Sequence, residues 1–205
     1  KTGNKEAQVE QGLLNRIREA LLQAKSARTI TPQNNDEEVL MESFQLITSK
    51  PVLYVCNVDE ASAVKGNKYV DQVRELVKNE DAEVIVLSVG AEADIAELES
   101  YEERQVFLED MGLTEPGASV LIRAAYKLLK QQTYFTAGVK EVRAWTVSIG
   151  ATAPQAAGVI HSDFEKGFIR AEVIAYDDYV NFGSESKVKE AGKLRVEGKE
   201  YVVKD

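Results

Sequence analysis

Cysteine occurs once in the 205 residues, at Cys56. No intramolecular disulfide can form, and the usage suits a reducing compartment. Histidine also occurs once, at His161, more than a hundred residues from Cys56, so a catalytic thiol lacks its usual partner. No apolar run approaches the roughly 20 residues needed to cross a bilayer, and no signal-peptide pattern is found. The expected location is cytoplasmic, with no membrane partner. Positive charge is in short supply: 25 Lys and Arg face 34 Asp and Glu, a net charge of −9. Residues 139–205 hold 10 basic and 11 acidic side chains, which leaves −8 for residues 1–138. That count excludes a uniformly basic nucleic-acid binder but not a local RNA contact in the carboxyl-terminal part. Also missing is the phosphate-binding motif G-x-x-x-x-G-K-S/T; the Gly-Lys pairs at Gly192 and Gly198 are followed by Leu and Glu.

What is present begins with Pro51-Val52-Leu53-Tyr54-Val55-Cys56. The apolar run 52–56 predicts a short strand buried on both faces, the kind found in parallel α/β sheets. Ligands of such sheets sit beyond the carboxyl ends of the strands. Here that end is Asn57-Val58-Asp59-Glu60. The turn is similar to the N-K-x-D turn of GTPases, in which Asn ties the loops around the base and Asp takes the guanine N1–H and N2–H₂. Val58 keeps apolar contact with a base, while Glu60 carries its carboxylate on a longer stem, which displaces the bidentate fit and weakens guanine preference. A second buried run, Ala82 to Ser88, ends in Ser88-Val89-Gly90-Ala91-Glu92, whose small residues allow close backbone approach. A helix over about 67–80 links the two strands as a crossover.

Three segments carry a resemblance. They are Lys50 to Glu60 (KPVLYVCNVDE), Ile160 to Val173 (IHSDFEKGFIRAEV) and Tyr176-Asp177-Asp178-Tyr179. Together they resemble the YchF, or Obg-like ATPase, family over roughly residues 45–205. The resemblance implies a carboxyl-terminal fragment of an ATP-preferring P-loop NTPase that associates with ribosomes and translation. Its fold class is α/β: a helical, coiled-coil arm remnant over 1–31, the carboxyl-terminal half of the P-loop NTPase sheet over 32–132, and a β-grasp (ubiquitin-like) TGS domain over 133–205. Asn57, Val58 and Glu60 would line the base pocket, with Ser88, Val89 and Gly90 closing it. ATP, or secondarily GTP, with Mg²⁺ would serve the intact parent, and neither is expected bound to this chain. No catalytic or metal-ligating residue is assigned. The rival is a non-catalytic module acting on RNA or a protein partner through the TGS domain, and loss of the arm's other limb suggests self-association.

Elsewhere the spacing of Val9, Leu13, Ile17, Leu21 and Ala24 predicts a striped helix over 4–25. A second helix, capped by Asn35 or Asp36, is expected to run to about Ile47 and bury Val39, Leu40, Phe44 and Ile47 or Leu46. Helices are predicted over 94–111 and 115–132, then strands over 139–149 and 168–176, a helix from Ala153, a helix over 184–191 and a hairpin about Gly198. His161 reads as a local hydrogen-bonding group, since no further ligands stand near it. Phe164, Phe168 and Arg170 invite an RNA-stacking reading, against core packing of the two phenylalanines. Tyr176 to Tyr179 reads as a solvated acidic turn.

Overall fold

The computed structural model describes residues 5–80 and 82–204. The chain divides into two compact units, Lys1–Leu128 and Leu129–Asp205.

In the first unit, α1 (Lys5–Leu22) buries Leu13, Ile17 and Ala20, a narrower stripe than expected because Leu21 and Ala24 lie exposed. A striped helix is marginal alone, and this one finds its cover nearby. After a 3-10 turn at Ala27–Thr29 comes α2 (Asn35–Ser43). Leu40, Met41, Phe44 and Leu46 pack with Ile30 on the cluster of Leu13, Ile17 and Ala27. Asn34, one residue before the expected caps, closes the start of α2 by accepting from Glu37 N–H at 3.0 Å. The helix ends at Ser43, and of the expected pair Leu46 packs on the core while Ile47 is exposed; Val39, on the outer side of α2, is exposed rather than buried. Buried Glu37 pairs with Arg16 and accepts from Gln33 N–H at 2.7 Å, joining the two helices.

β1 (Leu53–Asn57) is followed by α3 (Lys68–Val77) and β2 (Glu83–Leu87). The strands pair in parallel from Leu53↔Glu83 to Asn57↔Leu87. Asn67 caps α3 by accepting from Tyr69 and Val70 N–H. The expectation of a strand buried on both faces fails at β1, where Val55 is 46% exposed and Asn57 is exposed. Among the described residues β1 pairs only with β2, so it is an outer strand that its neighbours cover incompletely. The predicted helix over 94–111 is two. α4 (Val89–Glu97) stops at Leu98, and α5 (Tyr101–Asp110) restarts behind a capping box of Ser100 and Glu103. α6 (Gly117–Leu128) then lays Val120, Leu121 and Ala124 over Leu53, Ile85 and Leu87.

In the second unit, β3 (Gln131–Ala137) stands where the helical spacing was expected to continue to Gln132. It pairs antiparallel with β4 (Val142–Ser148), Tyr134 opposite Trp145. Trp145 is half-buried, donates to Thr136 Oγ1 at 2.9 Å and carries Arg143 over its ring at 4.2 Å. α7 (Ala153–Ile160) starts with Pro154 in its first turn, and Tyr134 O–H donates to its Ala156 carbonyl at 2.8 Å. There follow α8 (Ser162–Lys166), β5 (Ala171–Val173), α9 (Tyr176–Phe182), α10 (Glu185–Glu190) and β6 (Arg195–Glu197). The hairpin about Gly198 does not form. β6 pairs antiparallel with β5, while Tyr201 to Val203 runs beside Ala151 to Ala153 through a Thr152↔Val202 bridge. The core joins Val147, Ala151 and Ala156 to Tyr134 and Val203. No described helix is long and apolar enough to cross a membrane.

Candidate functional site

The six candidate residues fall on two loops at the carboxyl ends of β1 and β2, neighbouring parallel strands. Each loop is shaped by short-range bonding. Val58 N–H donates to Leu87 O at 3.0 Å, extending the ladder one step past Asn57. Asp59 then accepts from Ser62 N–H at 2.9 Å and caps a 3-10 turn at Glu60–Ser62. Of the two acids in this turn, Asp59 is thus engaged by the backbone. Glu60 is exposed, and its carboxylate has no partner among the described residues. In the second loop Ser88, 4% exposed, caps α4 by accepting from Ala91 N–H at 3.4 Å.

One bond joins the loops: Val89 N–H donates to Asn57 Oδ1 at 3.0 Å. With its oxygen occupied, the Asn57 amide is oriented and keeps its –NH₂ as a donor. Val89 is 55% exposed and Gly90 is open. A Cβ built on Gly90 would come no closer than 3.8 Å to Glu60 Oε1 and Ser88 Oγ, so Glu60 stands across from Gly90. The arrangement offers a fixed amide donor, a free carboxylate acceptor, two valine side chains and open backbone at a glycine. Those groups suit a planar heteroaromatic ring with polar edges. Among the described residues no group of three His, Cys, Asp or Glu is placed to hold a metal.

Two residues given no role in the sequence analysis tie the second loop to α6. Glu92, in the first turn of α4, accepts from Gly117 N–H at 2.6 Å and from Ala118 N–H at 3.1 Å, capping α6. Gly117 approaches Leu87 so closely that a Cβ there would sit 2.9 Å from Leu87 Cβ. A signal existed: a helix opening through Pro116-Gly117 brings no capping side chain of its own, so its cap must come from another element.

In the second unit His161 ends α7 and caps α8, its Nδ1 accepting from Asp163 N–H at 3.2 Å. Its ring lies 5.8 Å from that of Phe164. The two phenylalanines part company. Phe168 is buried, as core packing requires, but Phe164 is 56% exposed, because α8 is a single short turn with its outer side in solvent. Ile169 is 79% exposed, and Lys166 and Arg170 have no ion-pair partner among the described residues. Phe164, Phe168, Ile169 and Arg170, with Ala157 and Asp163, border an open cleft of about 520 Å³. Tyr176 to Tyr179 is the first turn of α9, not a free turn, and Asp178 lies 3.8 Å from Lys193.

The family model YchF-GTPase_C, described as a protein of unknown function (DUF933), matches residues 131–205. The chain is 52% identical over 205 residues to a Haemophilus ducreyi protein named ribosome-binding ATPase YchF, covering 100% of this chain and 56% of that protein. It is 49% identical over 207 residues to the Bacillus subtilis protein of the same name, with the same coverage. Identity to Obg-like ATPase 1 of Rattus norvegicus is 41% over 207 residues, covering 99% and 52%. Among solved structures, the Schizosaccharomyces pombe YchF GTPase superposes with a TM-score of 0.85 at 31% identity, covering 100% of this chain and 55% of that one. The chain therefore spans about half the length of these relatives. Over the residues it spans, the chain is homologous to proteins named YchF and Obg-like ATPase, and residues 131–205 match the carboxyl-terminal model of that family.

Proposed function

We propose that the paired loops of the first unit recognise a nucleobase, adenine in preference to guanine, within a YchF-like P-loop NTPase that works on ribosomes. In this reading Asn57, Val58 and Glu60 line the pocket and Ser88, Val89 and Gly90 close it. The observation that carries it is the bond from Val89 N–H to Asn57 Oδ1, since it orients the amide and holds both loops as one surface. Guanine is disfavoured because Glu60 extends beyond the point where a shorter carboxylate meets its two N–H donors; Glu60 makes no matching contact with adenine N1, so the preference for adenine is only this loss. ATP with Mg²⁺ would be the ligand of the longer protein. The residues here suit its base, and phosphoryl transfer depends on a phosphate cradle that this sequence does not contain. The same reading treats 1–31 as a helical arm, 32–132 as half of an NTPase domain and 133–205 as a β-grasp TGS domain.

Titration of ¹⁵N-labelled chain with adenosine tests this without asking anything of the phosphates. Amides of residues 57–60 and 88–90 should shift, more with adenosine than with guanosine, and Asn57→Ala should weaken binding about tenfold. Scattered or absent shifts would sink the reading. Turnover of ATP and GTP by this chain should stay at background; turnover that Asn57→Ala abolishes would contradict it.

A second reading rests on the exposed Phe164 and Ile169 beside Lys166 and Arg170, which have no ion-pair partner among the described residues. Here the second unit is a ribosome- or RNA-binding module in its own right, in keeping with relatives named ribosome-binding. Cosedimentation with ribosomes that Phe164→Ala with Arg170→Glu reduces, and Asn57→Ala does not, would favour it.

A further inference from the structure

Glu92 is half-buried, four residues beyond Ser88, and its carboxylate is engaged by the start of α6 and by no residue of the candidate pocket among those described. It accepts two N–H groups from the start of α6, Gly117 at 2.6 Å and Ala118 at 3.1 Å. Such charge-assisted bonds at the positive end of a helix are strong and directional. The Pro116 carbonyl already accepts from Ser119 and Val120 N–H, which marks Pro116 as the capping position of α6, where proline supplies no side-chain acceptor. α6 in turn rests on Leu53, Ile85 and Leu87 of both strands. Glu92 therefore ties the loop after β2 to the helix that covers the sheet.

From the other side the same loop is held by Asn57 Oδ1 on Val89 N–H. Little slack separates the two anchors, because a Cβ on Gly117 would stand 2.9 Å from Leu87 Cβ and 3.0 Å from Glu92 Oε1. The Ser88 cap on Ala91 N–H is internal to the α4 start and would move with it. Buried Ala91 and Ile95 keep α4 docked, but apolar contact is non-directional and does not set its rotation.

We infer that Glu92 is a positioning residue of the base pocket: gripping α6, it fixes where Val89 and Gly90 face a base it does not touch. The inference rests on the nucleobase reading above.

The test is adenosine titration of the ¹⁵N-labelled full chain, with thermal unfolding measured alongside. Glu92→Ala should weaken adenosine binding on the order of tenfold, while Glu97→Gln, at the exposed end of the same helix, leaves it unchanged. Loss of the α6 cap also lowers stability, so a second variant separates the two effects. Glu92→Ala with Pro116→Ser gives α6 a capping hydroxyl from its own chain without restoring the tether. Its melting temperature should return toward that of the unsubstituted chain while adenosine affinity stays low. Recovery of both would make Glu92 a cap and nothing more, overturning the inference. Undiminished affinity in Glu92→Ala would overturn it too, with the base pocket left standing. If adenosine moves none of the amides at 57–60 and 88–90 in the unsubstituted chain, the nucleobase reading falls and this inference with it.

Discussion

In the first unit the candidate residues are held by bonds that run between elements: Val89 to Asn57 across two strands, Gly117 and Ala118 to Glu92 across two helices. In the second unit the segment from His161 to Arg170 bonds mainly to itself. His161 caps its own helix, and between His161 and Arg170 only Phe168 is buried. The first arrangement is that of a pre-organised pocket, in which little ordering remains to be done when a rigid ligand arrives. The second leaves long side chains free to adapt, as a surface for a large partner does. On the proposed reading, rigidity falls where a small ring would be discriminated, and freedom where contact area would count.

A pair of glycines offers the sharpest break in that comparison. A Cβ at Gly117 meets Leu87 Cβ at 2.9 Å, an atom fixed to a strand backbone, whereas at Gly158 it meets Glu165 Oε2 at 2.5 Å, the far end of an exposed side chain. Gly117→Ala must lift α6 from β2, and should cost about 1–3 kcal/mol, as overpacking does. Gly158→Ala, despite the shorter distance, should cost less than Gly117→Ala. The Glu165 carboxylate swings outward, and only Glu165 Cβ, 3.2 Å away, asks α8 to give by a few tenths of an ångström, while alanine recovers up to about 1 kcal/mol of helix propensity. Denaturant midpoints of both variants measure this; equal losses would mean that the two contacts are equally rigid.

The same contrast marks what could be read from the chain. β1 and β2 came within a residue of their place because Val52 to Cys56 and Val84 to Leu87 are apolar runs closed by polar turns, and such signals are local. The strand expected over 168–176 shrank to Ala171–Val173, with α9 starting at Tyr176. The candidate loops were legible for the same reason, as the residues that follow those runs. β3 was not, since Leu128 and Leu129 continue the helical spacing and the break lies in Lys130, a non-glycine residue at φ 51°. The different fates of Phe164 and Phe168 depend on which side of a single turn faces α7, which spacing alone does not fix. Glu92 was invisible because its role is tertiary: its partners lie 25 and 26 residues away.

Acid offers a second way to probe the bonded unit. The Glu37 carboxyl is held below its ordinary value of 4.5, first by the Gln33 N–H, against the opposing effect of burial, and then by Arg16. A lowered folded value means that the contribution is fully present above the unfolded value. It is lost as pH falls through the folded one. Glu37→Gln should therefore lower the denaturant midpoint at pH 7, and its difference from the unsubstituted chain should shrink as pH falls below about 4.5. A difference independent of pH would show that the charge on Glu37 does not hold α1 to α2.

Specificity gives a smaller effect. Glu60→Asp shortens a carboxylate that has no partner among the described residues, and guanosine affinity should rise severalfold, short of the full value of about 1.5–3 kcal/mol for a hydrogen bond to a charged group. Guanosine binding that is already tight with Glu60 in place would refute the displaced-carboxylate argument.

The smallest expected effect is self-association, where a surface left free competes with one the chain covers. The α1 stripe gives little reason for it, because Leu13 and Ile17 already lie against Leu40, Met41 and Phe44 of the same unit. The outer edge of β1 gives more. Its backbone has no strand partner among the described residues, and Val55 stands exposed beside it. An open edge is a template for a second strand. Against this works the net charge of −8 over residues 1–138, whose repulsion between copies is weakened by salt. We therefore expect weak dimerisation through β1 that strengthens with ionic strength, seen by sedimentation over a concentration series. Val55→Lys should abolish it by placing a charge on the edge, while Leu14→Glu, on the exposed side of α1, should leave it intact. A monomer at every concentration and salt would show that the edge is too short, or too well hydrated, to recruit a partner. Dimerisation lost in Leu14→Glu but kept in Val55→Lys would move the interface to α1, and with it the reason the helix carries leucines on a face that α2 does not cover.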